Sequence, residues 1–209
     1  MPARALFVTR LYEATLAEAP DFAAFNVELE TACRALAAED AAGRAWCARH
    51  NYPGYTSYAS LDDLPQRDPA FAELKRRLDR HAARFADEAW LDLKGRRLKL
   101  DSLWVNLLRP GGAHSGHIHP HSVVSGTVYV AVPEGSGALK LEDPRLPLMM
   151  AAPPRRADAP EEARPFVYVS PQPGTVLLWE SWLRHEVGAG VKARGRGSER
   201  ISVSFNYRW

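Results

Sequence analysis

Leu98-Lys99-Leu100-Asp101-Ser102-Leu103-Trp104-Val105-Asn106-Leu107-Leu108 is where the chain changes its period from helical to two. Leu98, Leu100, Ser102, Trp104, Asn106 and Leu108 share one face of an extended strand. Gly111-Gly112 then turns the chain into Gly112-Ala113-His114-Ser115-Gly116-His117-Ile118-His119-Pro120-His121. Four of the seven histidines fall between His114 and His121. Imidazole is the commonest protein ligand for transition metals. Residues two apart on a strand point to one side, so His117 and His119 can reach one ion, and Pro120 is expected to end that strand. A further ligand must come from elsewhere, and His185, in Trp182-Leu183-Arg184-His185, is the one histidine of the C-terminal third. The plain alternative is a solvated loop with adventitious metal affinity. The apolar, strand-like flanks argue for a built site.

Downstream, Ser125 to Val132, Ala138 to Leu141, Phe166 to Val169, Thr175 to Trp179 and Arg200 to Phe205 read as short strands. Pro133-Glu134-Gly135, Asp143-Pro144-Arg145 and Pro173-Gly174 read as breaks between them. Residues 146–165, rich in proline, alanine and charge, form a long surface excursion. Upstream the period is helical. Phe22, Phe25, Leu29, Cys33 and Leu36 mark a helix from about Pro20 or Asp21 that Gly43 should end. Asn51 to Pro65 is loop-like. Asp68-Pro69 starts a second helix, with Asp68 as cap, Pro69 in the first turn and Phe71, Leu74, Leu78, Ala82 and Phe85 as its apolar stripe. His81 beside that stripe and His50 in its loop read as structural. Ala5 to Thr9 is expected to be an edge strand. Helices followed by about eight strands indicate a mainly β double sheet of jelly-roll type, backed by N-terminal helices.

With 209 residues, a single domain is expected: a helical elaboration over 1–96 and a jelly-roll core over 97–209. The net charge of +2 and the lack of a long basic run argue against nucleic acid as a partner. Gly190-Val191-Lys192-Ala193-Arg194-Gly195-Arg196-Gly197 is short enough to be a glycine-rich loop. No apolar run suits a membrane span and nothing resembles a signal peptide, so a cytoplasmic protein with free Cys33 and Cys47 is expected. A small-molecule substrate fits this composition, and the N-terminal helices can serve a homodimer.

On the last strand, Ile201, Val203 and Phe205 share one face, and Arg200, Ser202, Ser204 and Asn206 the other. On a half-exposed strand the polar face meets water. In a barrel it lines the cavity, where Arg200 and Ser202 form a carboxylate site, since guanidinium grips carboxylate with two prongs. Tyr129 and Asn106 can add hydrogen bonds from neighbouring strands. Trp104, Trp179 and Trp182 fit either core or cavity wall.

His-x-His on an early strand, a distant histidine and Arg-x-Ser fifteen residues beyond it together resemble the 2-oxoglutarate/Fe(II)-dependent oxygenase superfamily, in its bacterial branch of small double-stranded β-helix proteins. The text that carries the likeness is Trp104-Val105-Asn106, His117-Ile118-His119-Pro120-His121-Ser122, Ser125 to Val130, Glu142-Asp143-Pro144-Arg145, Pro173-Gly174, Trp182 to His185 and Arg200 to Asn206. It covers about residues 98–209. The resemblance implies a dioxygenase that couples decarboxylation of 2-oxoglutarate to oxidation of a second substrate. It implies Fe(II) on His117, His119 and His185, and Arg200 with Ser202 on the far carboxylate of the oxoacid. One departure stands out: most of the superfamily has a carboxylate where this chain has His119. His121 or a carboxylate such as Asp143 could take that place instead. No catalytic residue beyond the metal ligands is expected. The rival readings are a cupin-like metalloenzyme that uses no oxoacid and needs no Arg200 site, and a non-catalytic small-ligand-binding jelly roll.

Overall fold

A computed structural model describes residues 3–191 and 198–209. Most of the glycine-rich run expected to loop, residues 192–197, lies outside the described residues. Strand β1 (Leu11–Thr15) leads to helices α1 (Phe22–Glu39) and α2 (Ala41–Arg49), strand β2 (Gly54–Thr56), the short helix α3 (Leu64–Arg67) and helix α4 (Pro69–Glu88). Eight strands follow: β3 (Lys99–Leu108), β4 (His114–His117), β5 (Val124–Ala131), β6 (Leu139–Glu142), β7 (Phe166–Val169), β8 (Thr175–Glu180), β9 (His185–Val187) and β10 (Arg200–Arg208). They pair antiparallel in two sheets, ordered β1-β8-β5-β10-β3-β2 and β4-β9-β6-β7. This is the expected double-stranded β-helix with N-terminal helices. No described helix is long and apolar enough to cross a membrane.

The helices cover the outer face of the six-stranded sheet. Phe71, Leu74, Leu78, Ala82 and Phe85 of α4 are all buried there, with Phe25, Leu29 and Cys33 of α1. Asp68 caps α4 by accepting from the Ala70 amide at 2.7 Å, and Pro69 occupies its first turn. Both cysteines are free and buried. Ile201, Val203, Phe205 and Tyr207 of β10 join this core. A second apolar cluster, built from Leu108, Tyr129, Leu139, Leu141, Leu177, Trp179, Leu183 and Val187, lies between the sheets. β10 is therefore buried on both faces, and its polar row faces a cavity, not bulk water.

Three local expectations change. The apolar run at Ala5 to Thr9 forms no strand: Leu6, Phe7 and Val8 are exposed, and Phe7 adopts a φ of 56° that breaks an extended path. The edge strand is β1 instead, in register with β8 from Leu11 opposite Trp179 to Thr15 opposite Thr175. Sheet pairing and burial of Tyr12 outweigh local apolarity. Gly43 ends no helix and lies inside α2. Asp40 separates the two helices and accepts from the Gly43 amide at 2.9 Å, from Tyr55 Oη at 2.9 Å and from Ser60 Oγ at 2.5 Å. A Cβ at position 43 would stand 2.1 Å from the Asp40 carboxylate, so this glycine serves close approach, not helix termination. The stretch Asn51 to Pro65 is not all loop, because Gly54–Thr56 pairs with β3 at the sheet edge.

The helical layer carries part of the core and is no loose appendage. Leu78→Ala, at a fully buried position, is expected to destabilise the protein by about 2–5 kcal/mol, read from the midpoint of urea unfolding. A loss below about 1 kcal/mol would mean that α4 packs more weakly than its burial indicates.

Candidate metal centre

Antiparallel pairing between β4 and β9 sets His117 directly opposite His185, so residues far apart in sequence become a cross-strand pair. His119 lies beyond the end of β4, not within it, and its backbone amide donates to Ser181 O at 3.0 Å. The strand stops before Pro120, at His117. The connection to β5 is pinned instead by that amide and by Ser181 N donating to Val123 O at 3.0 Å. Candidate ligand atoms of His117, His119 and His185 all lie within 4.8 Å of one another.

The rings are aimed. His117 Nδ1 bonds Ser115 O at 2.7 Å, and His185 Nδ1 bonds Leu183 O at 2.8 Å. A carbonyl can only accept, so each Nδ1 carries the proton and each Nε2 keeps its lone pair. His119 Nε2 and His185 Nε2 are 3.3 Å apart. Two nitrogens each about 2.1 Å from one ion, at roughly tetrahedral or octahedral angles, would be separated by about 3.0–3.4 Å. Burial, with smaller contributions from the neighbouring imidazoles, lowers His119 to about 4 and His185 to about 3. Both rings are then neutral at pH 7, the form that binds metal. The donor set fits a divalent transition metal, which His117, His119 and His185 would hold.

The other two candidates for the third place are not brought to the triad. His121 sits on an exposed turn with a φ of 73°. Asp143 is held by Arg145 through Nε at 2.9 Å and Nη2 at 2.8 Å.

Behind the triad, the inner face of the large sheet lines a narrow chamber. Ser202 is registered with Asn106 on β3 and Tyr129 on β5, and Arg200 enters from the end of β10. All four line the chamber with the three histidines. Arg200 is 5% exposed and, among the described residues, has no ion-pair partner. Its Nε, Tyr129 Oη and Trp179 Nε1 are buried polar atoms without a hydrogen bond among those residues. The guanidinium carbon lies 4.8 Å from the Tyr129 ring centroid. Burial pushes the Tyr129 phenol up, with Arg200 partly opposing, so it stays a donor. Buried donors left unpaired are costly, and a buried cation without a counter-charge more so. A carboxylate satisfies this end of the chamber.

Two residues of the site escape the sequence reading. Tyr52, from the stretch read as loop, places its Oη 2.5 Å from His114 Nε2 and donates to Asn106 Oδ1 at 3.2 Å. His114 belongs to the visible cluster, yet strict alternation would put it on the opposite face from His117. A register shift between the two turns both into the chamber. Among the tryptophans, Trp104 and Trp179 flank the triad, with ring centroids 5.8 Å from His119 and 4.7 Å from His185. Trp182 is neither core nor cavity wall, being 46% exposed.

Fold and site together define a non-haem metal centre at the mouth of a double-stranded β-helix. A family model described as "Putative 2OG-Fe(II) oxygenase" matches residues 102–206, half of the chain, and the chain belongs to that family. No curated protein matches it significantly. Three solved structures share the fold. A prolyl-4-hydroxylase from Pseudomonas putida is 19% identical, with 96% of this chain and 94% of that one covered and a TM-score of 0.58. The non-heme alpha ketoglutarate dependent epimerase SnoN from nogalamycin biosynthesis is 18% identical over 96% and 76% of the chains, with a TM-score of 0.58. HygX from Streptomyces hygroscopicus, with nickel and 2-oxoglutarate bound, is 15% identical over 96% and 82%, with a TM-score of 0.56.

Burial likewise lowers His114 to about 4. The three depressed values set a sign for acid stability. Below the ordinary value of 6.5 the unfolded chain takes up protons that folded His114, His119 and His185 refuse. Stability from these groups is therefore complete above pH 6.5 and declines toward about pH 3. Urea unfolding of metal-free protein at pH 7, 6 and 5 should show a falling midpoint, less steep in His119→Gln. A midpoint that does not move over this range would contradict the burial of these rings.

Proposed function

We propose that the chain is an Fe(II)- and 2-oxoglutarate-dependent dioxygenase that oxidises a small-molecule substrate, most simply by hydroxylation. The observation that carries this reading is the pairing of three converging imidazoles with a buried guanidinium that has no ion-pair partner among the described residues, all in one chamber. A cupin-like metalloenzyme without an oxoacid gives Arg200 nothing to do, and a plain binding module gives the triad nothing to do. Family membership favours neither.

His117, His119 and His185 would hold the iron through their Nε2 atoms, with the carbonyls of Ser115 and Leu183 fixing two of the rings. Arg200 would grip the distal carboxylate of the oxoacid, helped by the hydroxyls of Tyr129 and Ser202. Asn106 stands between chamber and cleft, its amide already engaged by Tyr52 and, through Nδ2, by Ser204 Oγ at 3.1 Å. When bound, the iron and oxoacid supply oxidative decarboxylation and an oxidant for the second substrate. The chain contributes position and a dry wall, with Leu139, Val187 and Trp179 excluding water from the chamber. The epimerase among the similar folds bears on the last step: hydroxylation is the default outcome of hydrogen abstraction, and the substrate's pose decides it.

Anaerobic addition of Fe(II) and 2-oxoglutarate should give a visible metal-to-ligand charge-transfer band. Its absence at saturating iron would reject the oxoacid. His117→Ala and His185→Ala should each lose stoichiometric iron, and retention by either variant would remove that residue from the ligand set. Arg200→Ala should keep iron but weaken 2-oxoglutarate by about 100-fold, as expected when one charged partner of a desolvated pair is deleted. Equal oxoacid affinity in that variant would move the carboxylate site elsewhere.

A further inference from the structure

Outside the histidine triad the chamber opens into a cleft of about 580 Å³. The two share Trp104, Asn106, His114, His117 and His119, so whatever lies in the cleft faces the histidine triad. That volume is typical of a small-molecule site. Its wall has an unusual composition. Asp, Glu, Lys and Arg make up 25% of the chain, yet among the described residues none of them lines the cleft. Rings dominate instead. Trp46 and His50 stack at 4.2 Å with an interplanar angle of 20°. Tyr58 meets Trp104 edge-on at 5.1 Å. Tyr58 is 61% exposed and Ile118 47%, so apolar surface stands uncovered at the rim.

We infer that the prime substrate is an uncharged molecule bearing a planar ring system, held in this cleft against Tyr58 and Trp104. The inference rests on the oxygenase reading for its chemistry, but the choice of ligand comes from the wall alone. A carboxylate or ammonium drawn into the cleft would lose hydration and meet, among the described residues, no Asp, Glu, Lys or Arg to offset that loss, a penalty that disfavours charged metabolites. A planar ring meets aromatic faces and edges, the offset-stacked and edge-to-face contacts that aromatic rings favour. Neutral polar atoms on the ring would find Asn51, Thr56 and Ser115 on the same wall.

The test is calorimetric titration with a matched trio: 2-naphthamide, 2-naphthoate and 2-naphthylmethylammonium. It is run on the protein loaded anaerobically with Fe(II) and 2-oxoglutarate, so that no probe competes for the metal, and again on metal-free protein. The amide should bind at least tenfold more tightly than either ion. Tyr58→Ala, at an exposed position that leaves the core intact, should weaken the amide about 3- to 10-fold and leave the charge-transfer band unchanged. Naphthoate or the ammonium binding as well as the amide, no amide binding, or an indifferent Tyr58→Ala would each overturn the inference, whatever the band does. A missing band with the amide preference intact would instead remove the oxygenase reading and leave the ligand class standing.

Discussion

The structure depends on one strand being covered from both sides. β10 sends Ile201, Val203, Phe205 and Tyr207 into the helical layer and turns Arg200, Ser202, Ser204 and Asn206 toward the second sheet. Burying a polar row costs about 1–3 kcal/mol for each group left unpaired, so the row must be satisfied internally. Most of it is. Asn206 accepts from Ser125 Oγ at 2.8 Å and donates to Ser102 Oγ at 3.1 Å, while Asn106 donates to Ser204 Oγ at 3.1 Å. Satisfaction fails at one end, where Arg200 Nε, Tyr129 Oη and Trp179 Nε1 lack partners among the described residues. A network complete everywhere except beside a cluster of three imidazoles marks where a ligand belongs.

The parts legible in the sequence are those where a local rule and the tertiary arrangement agree. Alternation in 98–108 and 200–205 gave β3 and β10 because both strands are long and central. Asp68-Pro69 gave the start of α4 because a cap depends only on its own turn. His117, His119 and His185 could be read together because side chains two apart and a lone distant histidine leave few combinations. The misses have a common cause. β1 is chosen by its partner β8 and not by its own apolarity. Gly43 is dictated by a carboxylate three residues earlier that also serves Tyr55 and Ser60. His114 reaches the chamber through a register shift that alternation cannot foresee. Tyr52 acts through a contact 62 residues away in the chain.

The histidine triad departs from the common pattern of the superfamily by offering three imidazoles and no acid. Their convergence costs little when metal-free, because depressed pKa values keep His119 and His185 uncharged and two backbone carbonyls hold the protons. Imidazoles alone do not favour iron. Intrinsic affinity for such a set rises from Fe(II) through Ni(II) to Cu(II), so iron loading of these three imidazoles would rest on availability and on the bound oxoacid rather than on the donors alone.

The two halves of the site come from different stretches of the chain. The triad and Arg200 lie within the segment shared with the family, residues 102–206. Trp46, His50, Tyr52 and Tyr58 lie before it, on α2 and the edge that β2 adds to the sheet. The triad and Arg200 thus come with the barrel, while the cleft before them is walled jointly by the barrel, through Trp104, Ser115 and Ile118, and by a short upstream passage anchored at Asp40. Changes confined to that upstream passage would therefore reshape one wall of the cleft and leave the three imidazoles and the guanidinium where they stand.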